Sequence, residues 1–253
     1  MINKTIEAAD KEWLSRCEDF EQSVLRYKNV RFSRFVSPHD LAVFKAHFRP
    51  SPFVSVMEFG GNAECERVML GFFPDFLEPD ENIFPITRIL ISGVSGMSHR
   101  DILGSVLGLG IKREMTGDIF INDDKAVLMC DESISEFLLY NLKTVGRKKV
   151  SVSVFEDDED ISFAREFELE RKVVSSTRLD AVISAACGLS RSEAVNAVSS
   201  GYVNVNFSLA EDASKKLSEG DTISVRRHGR FVLDKICGVT KKGRISIEIK
   251  KFV

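Results

Sequence analysis

Two arginines at the starts of two short helices are the residues of this sequence best suited to bind a phosphate backbone. Arg191 follows Ser190 in a capping box, in which Ser190 accepts from the amide of Glu193 and the Glu193 carboxylate accepts in return. The unpaired amides of such a helix start carry partial positive charge, so they favour an anion beside Arg191 and Ser192. Arg178 begins the preceding helix and can join them.

Two short helices followed by strands must position these arginines. Apolar residues recur at helical spacing from Leu179 to Ala186, Gly188 supplies a left-handed stop, and Gly201 ends the second helix. Strands are predicted at 202–205, 222–226, 229–236 and 244–249. Further candidate cations fall in turns or at strand ends: Lys215, Lys216, Arg226, Arg227 and Arg230. Most capping boxes only begin a helix and turn lysines often serve solubility, so a merely solvated basic surface stays open as an alternative.

The charge of the chain is divided unevenly along its length. The whole sequence has 35 Lys and Arg against 38 Asp and Glu, a net charge of -3. Residues 171–253 contain 15 Lys and Arg and 8 Asp and Glu, a net of +7, which leaves 20 against 30, or -10, for residues 1–170. The acidic run EDDED at 156–160 predicts a linker or exposed loop between the two parts. A basic part attached to an acidic part is typical of contact with nucleic acid or another polyanion.

The C-terminal motifs together resemble a known RNA-binding domain. The string RLDAVISAACGLSRSEAVNAVSSGYVNVN, followed after a gap by LSEGDTISVRRHGRF, is similar to the S-four-type (αL-like) domain of a small-subunit ribosomal protein, pseudouridine synthases and tyrosyl-tRNA synthetases. The resemblance implies that structured RNA is held through Arg178, Asp180, Arg191 and Ser192. Asp180 is expected to orient Arg178, because a carboxylate facing phosphate would be repelled. Phe207 departs from the pattern, since many members have Gly there, and its turn is expected to differ.

The middle of the chain follows the order βαββαβ. Strands are predicted at 86–94, 119–122, 126–130 and 149–155, and helices at 98–108, with Ser98 and Asp101 as capping residues, and 133–145. This is the ferredoxin-like order that RNA-recognition motifs share, but KAVLMCD on the third strand has no stacking aromatic residue. Lys112 and Arg113 lie in a predicted loop and are a candidate secondary contact with RNA. The alternative is that this loop is only solvated.

No catalytic or metal-binding motif is complete in this sequence. His99-Arg100-Asp101 has no glycine loop or DFG to accompany it as a kinase loop, and GVSGM does not form GxSxG. The five cysteines include no CxxC pair, and the four histidines no HExxH spacing. We therefore expect no enzyme activity, no cofactor and no metal.

The order of the motifs along the chain resembles that of one particular protein family. SHRDILGSVLGLGIKREMTGDI, the upstream FGGNAECERV and the C-terminal RNA-binding motifs in this order resemble the YlmH-type RNA-binding proteins of bacteria and plastids. The resemblance implies binding of structured rRNA or tRNA and action at the large ribosomal subunit, in quality control of obstructed subunits. It also implies an association with cell division or plastid assembly. The alternative is an RNA-modifying enzyme, of pseudouridine synthase or methyltransferase type, targeted by the same domain.

In the first part of the chain, apolar spacing predicts one helix that ends near residue 27 and a second helix from Ser37-Pro38 through residue 48. Residues 53–59 and 66–73 are predicted to form a hairpin after these helices. The sequence therefore predicts an α+β protein of three domains: an N-terminal α+β domain at 1–83, a ferredoxin-like (RRM-like) domain at 84–160 and an S-four-type domain at 171–253. A composition of 43% hydrophobic and 29% charged residues is that of a globular chain.

The sequence also predicts where the protein resides. No stretch reaches the ~20 apolar residues of a membrane helix, and the N-terminus lacks the apolar core of a signal peptide. We expect no membrane insertion and a cytoplasmic location, in the bacterial cytosol, or in the plastid stroma if a transit peptide was removed.

Overall fold

The computed structural model describes residues 8–156, 167–240 and 243–252. The chain divides into two compact units, Met1–Ala164 and Arg165–Val253, called here the N-terminal and C-terminal units. Residues 157–160 of the acidic run lie outside the described residues, so the predicted linker stays a prediction, as does a domain boundary near residue 84. Within the described residues, no helix is both long enough and apolar enough to cross a membrane.

The N-terminal unit begins with two helices packed on a small antiparallel sheet. The helices are α1 (Ala8–Tyr27) and α2 (Pro38–His47), and the strands are β1 (Arg31–Phe32), β2 (Val54–Phe59) and β3 (Met69–Pro74), in the order β1-β3-β2. Ser37 caps α2 through a capping box with Asp40, which confirms the predicted start of this helix. The apolar face of α1 includes Trp13 and Cys17 and packs against β3 through buried Phe72.

The predicted hairpin of the first part is formed, but its second strand begins at Met69 rather than residue 66. Residues 66–68 do not extend this strand, because tertiary contacts hold them elsewhere. The backbone amides of Glu66 and Arg67 donate to the Asp118 carboxylate, and Val68 forms an isolated bridge with Val36. A carboxylate distant in sequence therefore decides where this strand starts.

The middle of the N-terminal unit has the predicted βαββαβ order. Its elements are β4 (Ile86–Ser92), α3 (His99–Gly108), β5 (Thr116–Asn122), β6 (Lys125–Asp131), α4 (Ser135–Asn141), the short pair β7 (Thr144–Val145) and β8 (Lys148–Lys149), and β9 (Ser151–Val154). The four long strands are antiparallel in the order β5-β6-β4-β9, the arrangement of a ferredoxin-like sheet. Ser98 and Asp101 cap α3 as predicted.

The second helix of this region is shorter than the predicted 133–145. It ends at Asn141, because Thr144 and Val145 pair with Lys148 and Lys149 across a turn in which Gly146 has a φ of 58°. A left-handed φ is accessible to glycine at little cost, so this turn competes successfully with another helical turn.

The three-stranded and four-stranded sheets of the N-terminal unit share one cluster of core side chains. Phe73 of β3, Leu90 of β4 and Met129 of β6 belong to one buried cluster, which also includes Phe35 and Phe84. Each such side chain contributes roughly 1.5–3 kcal/mol when fully buried. The phenylalanines of the first part are thus mostly core residues.

The C-terminal unit places two helices on one face of a six-stranded antiparallel sheet. Its elements are β10 (Phe167–Val174), α5 (Leu179–Cys187), α6 (Arg191–Ser199), β11 (Val203–Val205), β12 (Ser208–Leu209), β13 (Thr222–Val225), β14 (Gly229–Val239) and β15 (Ile245–Phe252). The strand order is β10-β15-β14-β13-β11-β12, and β10 starts before the predicted domain start at residue 171. Val182 of α5, Val198 of α6 and Phe231 of β14 share the buried core.

Hydrogen bonds join two of the C-terminal motifs, GYVNVN and EGD. Asn206, the last residue of GYVNVN, donates to the carboxylate of Asp221 in EGD at 2.7 Å and accepts from the Thr222 amide at 2.9 Å. Phe207 then occupies the turn between β11 and β12 with a φ of 64°, and Asn206 has a φ of 50°. A left-handed backbone is costly for a bulky residue, so this turn stores strain that glycine would avoid.

Candidate nucleic-acid interface

The two helix-start arginines predicted from sequence meet on one buried carboxylate. Arg178 donates through Nε and Nη2 to Asp180 at 3.2 Å each, and Arg191 donates through Nη2 to Asp180 Oδ2 at 2.6 Å. The Asp180 side chain is 4% exposed, whereas the Arg178 and Arg191 side chains are 43% and 45% exposed. These three residues, called the arginine cluster, present two cations to solvent from a buried anchor.

The electrostatics of the cluster follow from these contacts. Burial opposes ionisation of Asp180, but the hydrogen bonds from Arg178 and Arg191 outweigh it and hold the pKa of Asp180 below its ordinary value. The same pairing raises the pKa of Arg178. Asp180 and Arg178 are therefore charged at neutral pH, and together with the guanidinium of Arg191 they form a cluster of two cations around one anion.

Backbone hydrogen bonds fix the start of α5, where Arg178 and Asp180 flank Leu179. The amide of Leu179 donates to Lys215 O, and the amide of Asp180 donates to Ala213 O. Arg178 itself forms an isolated bridge with Lys216. The backbone of residues 213–216 thus places the two predicted lysines, Lys215 and Lys216, beside the start of α5.

The start of α6 has the predicted capping box. Ser190 accepts from the Glu193 amide at 3.2 Å, and its own amide donates to the Glu193 carboxylate at 2.7 Å. Arg191 directs its Nη1 to Ser175 Oγ at 3.2 Å, while Ser192 is exposed in the first turn. The exposed amides of this turn and Arg191 lie together, which suits phosphate oxygens.

A second part of the candidate interface is a groove of about 330 Å³ between α6 and the turn that joins β13 to β14. Its lining includes Asn196 and Glu193 on the helix and Arg226, Arg227 and His228 in the turn. This groove lies along the same helix that begins at the arginine cluster.

An exposed aromatic residue, Tyr202, lines this groove. Tyr202 is 46% exposed, and the guanidinium carbon of Arg226 lies 5.1 Å from the centre of its ring. The sequence pattern predicts Tyr202 only as a strand residue and gives it no role in binding. The signal for Tyr202 in the sequence is that an aromatic residue directly follows Gly201, the glycine that ends the second helix. Exposed aromatic faces next to arginine suit stacking with nucleobases.

Arg230 lies in a different environment from the other predicted cations. Its guanidinium carbon is 3.8 Å from the ring centre of Phe252 and 6.0 Å from that of Phe207. Its neighbour Phe231 is buried among the helices, and successive side chains of a strand point to opposite faces. Arg230 therefore lies on the sheet face opposite the helices.

The predicted secondary contact, Lys112 and Arg113, lies in the N-terminal unit. Lys112 is exposed, but Arg113 is half-buried and donates through Nη1 to the carbonyl and hydroxyl oxygens of Thr116 at 2.7 Å each. Only Lys112 of this pair presents its charged group fully to solvent. Within the described part of the chain, no cluster of three or more His, Cys, Asp or Glu could hold a metal ion.

Two parts of the chain match known protein families. The family model described as "Putative RNA-binding domain in YlmH" matches residues 90–159, and the model described as "S4 domain" matches residues 177–223. The Ribosome-associated protein quality control protein P2 of Bacillus subtilis (strain 168) is 28% identical over 248 residues, which cover 96% of this chain and 96% of that protein.

A solved structure supports the fold. The Cell division protein ylmH from Streptococcus pneumoniae matches with a TM-score of 0.52 at 23% identity, and the match covers 64% of this chain and 100% of that chain. This likeness bears on the fold alone. Residues 90–159 are similar to the RNA-binding domain described for YlmH and residues 177–223 to the S4 domain, and these matches confirm the predicted resemblance of the chain to the YlmH-type RNA-binding proteins.

Proposed function

We propose that this protein binds structured ribosomal or transfer RNA through its C-terminal unit and acts, without catalysing a reaction, at the large ribosomal subunit. The observation that carries this proposal is the arginine cluster, in which buried Asp180 holds two half-exposed guanidiniums beside the capped start of α6. Guanidiniums fixed in this way bind phosphate oxygens with little further loss of conformational freedom.

The charge distribution and the comparisons support the same proposal. The net of +7 in residues 171–253 attracts an RNA backbone, whereas the net of -10 in residues 1–170 does not. Both matching family models describe RNA-related domains, and the Bacillus subtilis relative is named for ribosome-associated quality control. By analogy with that relative, this protein would act in ribosome-associated quality control. The resemblance to the YlmH-type proteins supports action in the cytosol on obstructed large subunits.

The test of RNA binding replaces both exposed arginines of the cluster in the full-length chain. Arg178→Ala with Arg191→Ala should lower the slope of log K against log salt by up to ~2 charge equivalents, because each lost phosphate contact releases one counterion fewer. The same variant should leave the large-subunit fraction in a sucrose gradient. Arg171→Ala with Arg244→Ala removes equal charge from exposed positions of the same unit and should retain binding. Wild-type salt dependence and co-sedimentation in the folded cluster variant would contradict the proposal.

We also infer that the N-terminal unit modifies no nucleotide. The sequence contains no complete catalytic motif, and the family model that matches residues 90–159 is described as an RNA-binding domain. Mass spectrometry of rRNA and tRNA from cells with and without the protein should give the same modified nucleotides. A modification that disappears without the protein and returns with purified protein would establish an RNA-modifying enzyme instead.

A further inference from the structure

A cationic cavity of about 510 Å³ lies in the N-terminal unit. Small-molecule sites typically measure about 300–1,000 Å³, so a nucleotide-sized ligand fits this volume. Five cations line it: Arg16, Arg34, Arg67, Lys112 and Arg113. Two carboxylates, Asp40 and Glu114, also line it, and Arg34 forms an ion pair with buried Asp131. This concentration of positive charge occurs in the acidic part of the chain, where the net charge of residues 1–170 is -10.

The two arginines at the base of the cavity bond to uncharged oxygens. Arg67 donates through Nε to Thr116 O at 3.2 Å and through Nη2 to Phe35 O at 3.1 Å. Arg113 donates through Nη1 to both Thr116 oxygens and to Gly117 O at 3.1 Å. Among the described residues, neither guanidinium forms an ion pair with a carboxylate. Half-buried charges are usually paired, so this arrangement leaves positive charge to be balanced by a bound anion.

The pKa directions agree with this geometry. Burial lowers the pKa of Arg67, and burial together with the charge of Arg67 lowers the pKa of Arg113 to about 10. Asp118 favours the charged form of both arginines, and Asp40 also favours the charged form of Arg67, but burial outweighs these contributions. The Oδ2 of Asp118 already accepts from the backbone amides of Glu66 and Arg67. A bound anion would stabilise both arginines further.

The remaining lining offers cations at the surface and aromatic walls. Arg16 and Lys112 are exposed, and within the described residues neither side chain has a hydrogen-bond or ion-pair partner. The guanidinium carbon of Arg16 lies 5.4 Å from the ring centre of Trp13, and Phe20 and Phe35 also line the cavity. Cations at the base and surface suit a phosphate. Trp13 and Phe35 are 5% and 2% exposed, so half-buried Phe20 is the aromatic residue of the lining with the most surface for a planar base.

We propose that this cavity binds a phosphate-bearing nucleotide. Arg67 and Arg113 face the phosphate from a fixed position, Arg16 and Lys112 enclose it from the surface, and the aromatic lining contacts the nucleoside. The nucleotide is either free or the phosphorylated 5′ end of an RNA, and both sources offer the same phosphate monoester. This site is separate from the arginine cluster and does not depend on the function proposed for it.

The chain contains a single tryptophan, and it lines this cavity, so its fluorescence reports occupancy directly. In the full-length protein, adenosine monophosphate should change Trp13 emission saturably, inorganic pyrophosphate should compete with it, and adenosine should have little effect. A 5′-phosphorylated RNA hexamer that competes while its unphosphorylated counterpart does not identifies an RNA end as the source. Competition by adenosine monophosphate and pyrophosphate without an effect of either hexamer identifies a free nucleotide.

Matched charge reversals distinguish a site from general attraction. Arg16→Glu with Lys112→Glu should weaken the affinity for adenosine monophosphate at least about tenfold, since two contacts with a charged group are lost. Lys11→Glu with Arg147→Glu makes the same charge change at exposed positions that do not line the cavity and should bind normally.

Three outcomes would overturn the proposal: equal weakening in both double variants, no saturable response at millimolar nucleotide, or a response to an acidic peptide alone. Circular dichroism checks that the variants fold. Arg178→Ala with Arg191→Ala should leave the Trp13 response unchanged, so failure of this proposal is distinguishable from failure of the RNA-binding proposal.

Discussion

Replacing Asp180 with Asn tests whether this carboxylate positions the arginine cluster or merely repels RNA. The substitution preserves the shape of the side chain but removes its charge, and with it the charge component of three hydrogen bonds from Arg178 and Arg191. If Asp180 only repelled phosphate, the variant would bind RNA more tightly. If it positions the guanidiniums, the variant binds less tightly although its net charge is more positive.

The structure sets the magnitude of the expected effect. A hydrogen bond to a charged group contributes about 1.5–3 kcal/mol when buried, and of the three bonds only the one at 2.6 Å is short. The Arg178 and Arg191 side chains are 43% and 45% exposed, so solvent screens the pairs and rehydrates the guanidiniums after the substitution. We therefore expect the free energy of unfolding to fall by about 1–2 kcal/mol and RNA affinity to fall about 3- to 10-fold.

The pH dependence gives an independent check. The pKa of Asp180 is lowered in the folded protein, so its ionisation stabilises the fold above the unfolded pKa of about 3.9. This stabilisation is lost as the pH falls through the lower folded pKa. The difference in unfolding free energy between wild type and Asp180→Asn should therefore be full at neutral pH and disappear in strong acid.

The assays are urea denaturation across pH and RNA titration across salt concentrations. Asp234→Asn is the matched control, because Asp234 pairs with Lys250 in the same unit and lies outside the arginine cluster. The control should bind RNA as wild type does, or slightly more tightly. An Asp180→Asn variant that is folded and binds RNA as tightly as this control would refute the positioning role.

Two further predictions concern a helix end and the thiols. Gly188→Ala should lower the free energy of unfolding of the C-terminal unit by about 1 kcal/mol in denaturant titrations, because Gly188 has a φ of 68° and open space around the position leaves backbone strain as the main cost; an unchanged midpoint would contradict this. In the folded protein an alkylating reagent should modify exposed Cys237 first and spare Cys17 and Cys130, whose burial raises their pKa values to about 12. Peptide mapping checks the order of modification, and equal labelling of all three would show that the buried thiols are accessible.

Much of the secondary structure could be predicted because its signals are local. Ser37, Ser98 and Ser190 each begin a helix through a capping box, and Gly188 ends one with a left-handed φ. The βαββαβ order of the middle region also follows from short-range pattern, and the structure confirms it. Predictions failed where distant partners compete, as at residues 66–68, where the amides of Glu66 and Arg67 bond to Asp118 instead of extending the strand.

The sequence by itself determined the residue types of the candidate interface, the helix starts that position them and the uneven division of charge. Only the tertiary structure decided that Arg178 and Arg191 share the Asp180 carboxylate, and that Tyr202 lies beside Arg226. It also decided that Arg16, Arg67 and Arg113 line one cavity. The physical reason is that capping and chain charge depend on neighbours within a few residues, whereas these contacts join side chains from separate elements. Their distances and burial follow from how the helices and sheets pack, which no local pattern encodes.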